Sequence, residues 1–328
     1  PGLLPLPPRG RTIALVGPMI DRKADLLGSW VQDGRGSETA SIAESLKEEL
    51  KGHKIRTAAH EDDVAWEVQH ADLAVLVVGE SASRTGENGC VADILLPPGQ
   101  RELIRQVASL GRPVILAVVA GRPVLDPVSV SLCDAVLYAW HGGTMTGPAL
   151  ADVLSGRVNP AGRLPLTFPR STGQIPIHYN HKATGRPQRG MGWYRDESPK
   201  PLFPFGFGLG YSRFSYSGLR LSHRRLSAGQ TLEIQVRVRN EGPFSGDDVV
   251  QLYLQDCVAS RTRPVRELKG FQRLRLGPGQ SKVLTFELGE RELGFYGPGG
   301  AWTLEPGDFR LWAGGSSQAS LEGRFRVS

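Results

Sequence analysis

The sequence has few of the features that mark several common protein classes. Only three cysteines occur among 328 residues, Cys90, Cys133 and Cys257, and their odd number and wide spacing argue against a disulfide framework. No apolar stretch approaches the ~18 residues that a membrane helix needs. The net charge of +6 is spread without a run of five like charges, so little supports binding to nucleic acid or to a membrane surface.

Two well-known catalytic and cofactor signatures are also missing. No Gly-x-Gly-x-x-Gly opens a helix, which disfavours a dinucleotide site. No Gly-x-Ser-x-Gly occurs, which disfavours an isolated serine hydrolase. His178 and His181 lie three apart, but the nearby Pro176 argues against a helix that would bring them to one face, and no third ligand is evident. The sequence therefore predicts neither a cofactor nor a metal site.

The first half of the chain alternates short apolar runs with amphipathic helical patterns. Buried strands are predicted over residues 11–16, which the Gly17-Pro18 breaker ends, and over 73–78, 113–119 and 135–138, and helices over 37–51, 62–71, 100–110 and 146–154. Strands that alternate with helices predict a doubly wound, largely parallel α/β sandwich. We assign it to residues 11–165, after a Pro-rich linker over residues 1–10.

Beyond residue 165 the pattern changes twice. Residues 166–218 are rich in Pro, Gly and aromatic side chains and are predicted to be a loop-rich connecting segment. From residue 219 to 328 the apolar residues alternate, as in Leu232, Ile234, Val236 and Val238, and Gly-Pro turn signals separate the runs. Short strands at this spacing predict an all-β sandwich of the immunoglobulin or fibronectin type III type.

The strand that ends at Val78 is followed by an acid-bearing loop. Its polar residues include two carboxylates, Glu80 and Glu87. In open α/β sheets the chemistry gathers beyond the carboxyl ends of strands, so this loop is the first candidate for a functional site. Judged by spacing alone, Glu87 is more often a solvated loop acid than a catalytic group.

Four long stretches carry a resemblance to a known family. The chain resembles the C-terminal portion of the bacterial β-glucosidase type of glycoside hydrolase family 3, and the resemblance covers essentially the whole chain. The stretches are GRLPLTFPRSTGQIPIHYNHKATGRP, PLFPFGFGLGYSRFSYS, VVQLYLQDCVASRTRPVRELKGFQR and ELGFYGPGGAWTLEPGDFRLWAGGSS. The resemblance implies an α/β sandwich followed by a fibronectin type III-like domain. It also implies a retaining, exo-acting glycosidase that removes terminal non-reducing sugars from β-linked glucosides or oligosaccharides.

In this family the nucleophilic Asp lies on an N-terminal TIM-like barrel. We therefore expect that barrel on a separate or lost chain, and residues 2–7 resemble the linker that would follow it. The barrel would be the main partner. The sugar, the compartment and a homo- or hetero-oligomeric state stay open.

The resemblance also assigns a role to the acid-bearing loop. The family's general acid/base is a Glu in such a loop, and Glu87 fits because it stands six positions before Asp93-Ile94. The family's Ser-Arg-Thr usually follows the Glu, whereas Ser83-Arg84-Thr85 precedes it here. A shifted alignment would make Glu80 catalytic; otherwise Glu80 is expected to be structural or to bind a sugar hydroxyl.

Two further alternatives stay open. Arg84 either orients a carboxylate or the leaving-group side of the substrate, or is an ordinary exposed arginine. The chain as a whole is either part of an enzyme or a non-catalytic carbohydrate-binding or interaction module of the same fold.

Overall fold

The structure is a computed structural model that describes residues 2–58, 60–183, 194–227 and 229–328. Two compact units are present: Pro1–Val158 with Pro169–Ile175, and Asn159–Phe168 with Pro176–Ser328. The domain limits given above stay a prediction. Part of the predicted connecting segment, residues 184–193, lies outside the described residues.

The first unit contains a five-stranded, fully parallel sheet with the strand order β2-β1-β3-β4-β5. This is a doubly wound order, so the predicted α/β class is confirmed. The strands are β1 (Thr12–Val16), β2 (Lys54–Thr57), β3 (Leu73–Gly79), β4 (Val114–Val119) and β5 (Ala135–Tyr138). Every residue of β3 and β4 is buried, because helices cover both faces of a parallel sheet.

In the part of the first unit that the structure describes, five α-helices accompany this sheet. They are α1 (Ile42–Glu49), α2 (Val64–Gln69), α3 (Gln100–Ser109), α4 (Pro127–Ser131) and α5 (Thr146–Ser155). The start of α1 is fixed by a capping box in which Ser41 Oγ accepts from the Glu44 amide and the Glu44 carboxylate accepts from the Ser41 amide. This helix therefore begins later than the residue 37 predicted from periodicity.

The second unit contains two β-sheets, in the orders β10-β9-β14-β15-β7 and β11-β8-β6, and a separate β12-β13 pair. All strand pairs are antiparallel except β15 with β7. One short helix, α6 (Glu290–Leu293), precedes β12. The strands are β6 (Phe214–Leu221), β7 (Arg225–Leu226), β8 (Leu232–Asn240), β9 (Gly246–Asp256), β10 (Glu267–Leu276), β11 (Ser281–Leu288), β12 (Phe295–Tyr296), β13 (Trp302–Thr303), β14 (Gly307–Gly314) and β15 (Leu321–Val327).

The alternation predicted for this unit is confirmed in β8. Its residues Leu232, Ile234, Val236 and Val238 are fully buried, whereas Glu233, Arg237 and Arg239 are exposed. The buried residues join apolar side chains of β9, β11 and β14 in one core. Two largely antiparallel sheets packed over such a core form the predicted β-sandwich.

Within the described ranges, no helix is long and apolar enough to cross a membrane. Cys90, Cys133 and Cys257 are free thiols. Burial raises the pKa of the Cys133 thiol to about 12, which makes it a poor nucleophile near neutral pH.

Asp256, at the end of β9, makes the stability of the second unit depend on pH. Burial raises the pKa of this carboxyl to about 6, and the Arg263 guanidinium offsets only part of that effect. A carboxyl with a higher pKa in the folded state contributes more stability as the pH falls through about 6 toward 4. We therefore expect Asp256→Asn to raise the thermal midpoint of unfolding at about pH 7.5, with a smaller gain at about pH 5.

Thermal unfolding of wild type and variant at both pH values measures this difference. Asp308→Asn is the matched control, because the Asp308 side chain is 68% exposed and pairs with Arg326. The control should change the midpoint little at either pH. An equal gain at both pH values for Asp256→Asn would contradict the prediction.

Candidate active site

The candidate site is the loop that follows β3, which we call the acid loop and define as residues 80–89. It begins at the carboxyl end of the central strand, where β3 lies between β1 and β4. Gly79 ends the strand with a φ of 154°, and a Cβ there would lie 1.8 Å from the Val119 carbonyl oxygen. Only glycine therefore fits this close approach of two strand ends.

The side chain of Gln100 holds the same strand end. Its Oε1 accepts a hydrogen bond from the Gly79 amide at 2.8 Å, and its Nε2 donates to the Gly79 carbonyl at 2.9 Å. The amide group of Gln100 thus satisfies both backbone groups of Gly79 at a point where they would otherwise be unpaired and buried.

Glu80 is completely buried and lies between two arginines. Its backbone amide donates to the Val119 carbonyl at 2.9 Å. One carboxylate oxygen accepts from Arg84 Nε at 3.2 Å and the other from Arg122 Nε at 3.0 Å. Because both oxygens make charge-assisted hydrogen bonds, the buried negative charge is compensated on both sides.

Glu87 lies in a different environment, at the tip of a β-turn. The Gly89 amide donates to the Gly86 carbonyl at 3.0 Å, which makes Glu87 the second residue of the turn and Asn88 the third. Asn88 has a φ of 63°, as the third position of a type II turn requires. The Glu87 side chain is exposed, and it makes no hydrogen bond or ion pair with any described residue.

The acid loop also contacts the segment that follows β1. Asp25 Oδ1 accepts from the Ala82 amide at 2.8 Å, and Thr85 Oγ1 donates to Ser29 Oγ at 3.2 Å. Gly86 packs so closely that a Cβ there would lie 2.5 Å from Ser29 Oγ. The neighbouring Trp30 is 69% exposed, so a large aromatic face lies beside the loop.

The three residues predicted from the sequence therefore differ in setting. Glu80 and Arg84, which precede the turn, form an ion pair with each other, whereas Glu87 is exposed at the tip of the turn. Sequence reasoning missed Arg122, Gln100 and Asp25. The sequence signal for Arg122 is weak: it lies in Gly121-Arg122-Pro123, directly after the strand predicted over residues 113–119.

Among the described residues, no group of three His, Cys, Asp or Glu side chains could hold a metal ion. His178 and His181 lie in irregular structure of the second unit. The acid loop itself offers the carboxyl groups of Glu80 and Glu87 and the guanidinium group of Arg84.

Comparison with known proteins gives two matches to family models. The glycosyl hydrolase family 3 C-terminal domain matches residues 1–211, and the fibronectin type III-like domain matches residues 248–317. The periplasmic β-glucosidase of Salmonella typhimurium is 35% identical, over 99% of this chain and 47% of its own length. A β-xylosidase of Formosa agariphila is also 35% identical, over 94% of this chain and 45% of its own length.

Solved structures agree with these matches. The β-glucosidase of Listeria innocua in complex with glucose superposes with a TM-score of 0.93 at 36% identity, covering 99% of this chain and 47% of that one. A mutant of the same enzyme was solved with laminaribiose. The chain thus spans about half the length of the relatives that it matches. The extent of the family-model match and the identity to these relatives show that the chain belongs to glycoside hydrolase family 3.

Proposed function

We propose that this chain supplies the general acid/base of a retaining, exo-acting β-glucosidase, with Glu87 in that role. The nucleophilic Asp would come from a TIM-like barrel domain outside these 328 residues. The observation that carries the proposal is the position of Glu87, an exposed carboxylate at the tip of a turn beyond the central strand. The names of the relatives, most of them β-glucosidases, support the substrate class.

The environment of Glu80 favours Glu87 over the shifted alignment. A general acid must come within hydrogen-bond reach of the glycosidic oxygen. Glu80 is completely buried and both its oxygens accept from arginines, so it has neither a free oxygen nor a surface to offer. Glu87 has both, and we assign Glu80 and Arg84 to the support of the acid loop.

The chemistry of retaining hydrolysis gives the acid/base two tasks. Two carboxyl groups about 5–5.5 Å apart flank the glycosidic bond. The protonated acid first donates its proton to the leaving oxygen while the nucleophile attacks the anomeric carbon. The same residue, now ionised, then removes a proton from the water that releases the sugar. Covering the exposed tip with the barrel and a bound sugar would exclude bulk water from both steps.

A loop is well suited to this residue. The group must meet a carboxylate of another domain and tolerate leaving groups of different size. In this chain the tip is exposed whereas the base of the acid loop is held by buried hydrogen bonds. Trp30 beside the loop offers an apolar face on which the leaving group could stack.

The test uses the native protein purified from its source without denaturation, so that any barrel-bearing polypeptide that accompanies residues 1–328 is kept. We expect hydrolysis of aryl β-glucosides in preference to the α-anomer. Proton NMR of the first product should show β-glucose before mutarotation, because two displacements retain the configuration. Formation of α-glucose as the first product, or failure to cleave any β-glycoside, would refute the proposed function.

A further inference from the structure

Arg122 contacts the acid loop at three points. The residue follows β4 and its side chain is 21% exposed. Its Nε donates to Glu80 Oε2 at 3.0 Å, at the start of the loop. Its Nη2 donates to the Arg84 carbonyl, and also to the Gly89 carbonyl at 2.8 Å. One guanidinium group thus binds the beginning, the middle and the end of the same loop.

The two carbonyls that share Nη2 lie on either side of Glu87. Arg84 comes two residues before the turn and Gly89 is its last residue. A donor that binds both brings the two sides of the turn together and restricts how far its tip can move. The backbones of Arg84 and Gly89 approach each other closely, since a Cβ at Gly89 would lie 2.9 Å from the Arg84 carbonyl oxygen.

Arg122 is itself held by the sheet. The Tyr138 hydroxyl, at the end of β5, donates to the Arg122 carbonyl, and the Val124 amide donates to the same hydroxyl at 3.3 Å. Burial raises the pKa of Tyr138, so its hydroxyl keeps the proton that it donates. The following Pro123 also restricts the Arg122 backbone to extended conformations.

We propose that Arg122 is a positioning residue that fixes the turn carrying Glu87 against the rigid end of the sheet. The role rests on the proposed function, in which Glu87 is the acid/base. A guanidinium suits it because the planar fork binds several acceptors at once, whereas a lysine offers a single point charge. The buried carboxylate of Glu80 completes the arrangement by pairing with this partly buried cation.

The proposal predicts a specific kinetic signature. A displacement of about 1 Å at a catalytic group can lower the rate about 10²-fold. Misplacing the acid slows the cleavage of poor leaving groups, which need protonation, more than that of good leaving groups, which do not. We therefore expect Arg122→Lys to lower kcat/KM for a disaccharide at least about tenfold more than for a dinitrophenyl β-glucoside.

A structural readout is independent of activity. Hydrogen exchange followed by mass spectrometry on the 328-residue chain reports the protection of residues 80–90. Arg122→Lys keeps a positive charge opposite Glu80 but loses the second donor arm, so exchange in this segment should accelerate at least about tenfold. The matched control is Arg101→Lys, because Arg101 is 29% exposed and pairs with Asp126 at 3.1 Å without bonding to the acid loop.

Because Arg122→Lys could fail to fold, the double variant Glu80→Met/Arg122→Met provides a second test. It replaces the Glu80–Arg122 ion pair with apolar side chains, so that the charge left without its Glu80 partner is that of the 35% exposed Arg84. Faster exchange in residues 80–90 together with the leaving-group signature in either variant, and with neither in the control, supports the proposal.

The outcomes separate this proposal from the function on which it rests. Unchanged exchange in residues 80–90 would overturn the role of Arg122, whatever the activity. Faster exchange with an unchanged leaving-group ratio would also overturn it, because the loop would then move without affecting catalysis. Full activity of a Glu87→Gln variant would instead refute the proposed function itself.

Discussion

We expect the replacement of Glu87 with Gln to lower kcat/KM for a β-linked disaccharide by about 10²–10⁴-fold, the usual contribution of general acid–base catalysis. The amide cannot donate a proton to the leaving oxygen and cannot activate water. Because the Glu87 side chain is exposed and makes no bond to a described residue, the thermal midpoint of unfolding should stay within experimental error. Steady-state kinetics and thermal unfolding of the native protein and its variant measure both expectations.

The activity of Glu87→Gln toward substrates with different leaving groups, and in the presence of an added nucleophile, tests the acid and the base role separately. A dinitrophenyl β-glucoside needs little acid assistance, so its first step should survive in the variant and the second step should become limiting. Azide, which attacks without a general base, should then restore turnover and yield β-glucosyl azide. Glu48→Gln is the matched control, as this side chain on α1 is 75% exposed and lies outside the acid loop. Equal activity of the two variants would contradict the assignment.

Replacing Glu80 with Gln destabilises the first unit by about 3 kcal/mol or more, at the lower end of the range for breaking a buried ion pair. The substitution leaves Arg84 and Arg122 without the negative charge that they share. Both side chains are partly exposed, so water compensates for part of the loss. Urea unfolding, with hydrogen exchange of β3 and β4 to identify the unit that opens, measures the change.

Glu322→Gln in the second unit is the matched control for this prediction. Glu322 also binds two arginines, Arg310 and Arg324, but it is 28% exposed. Hydrogen bonds from these two side chains lower the pKa of Glu322 to about 2. Water screens this partly exposed cluster, so the control should lose less stability than Glu80→Gln. Similar losses for both variants would mean that burial is not the cause.

The strands with a strong apolar pattern could be predicted because that pattern has a direct physical cause, whereas β2 (Lys54–Thr57), which has no fully buried residue, was missed. Parallel strands that are buried on both faces, such as β3 and β4, are nearly continuous apolar runs. In a β-sandwich strand with one solvent-exposed face, such as β8, apolar and polar residues alternate. Helix ends were less accurate. The predicted helix over 37–51 is shorter, at Ile42–Glu49, since the Ser41 capping box starts it, and that over 62–71 is Val64–Gln69.

The candidate site was predictable only in part. The position of the acid loop followed from the end of a buried strand, and its two carboxylates were visible in the sequence. The difference between them was not, because the burial of Glu80 depends on Arg122, which lies 42 residues further along the chain. The assignment of Glu87 as acid/base stays a prediction that the experiments above address.

The way the turn around Glu87 is held has a consequence for engineering. Hydrogen bonds to backbone atoms before and after residue 87 hold the turn in place. The Glu87 side chain at the tip of the turn makes none of these bonds. Catalytic residues commonly trade stability against activity. At residue 87 the backbone hydrogen bonds that stabilise the turn do not involve the side chain, so we expect a wide set of side chains at this position to change the stability of the first unit little. If Glu87 is the acid/base, each such variant then reports on chemistry alone.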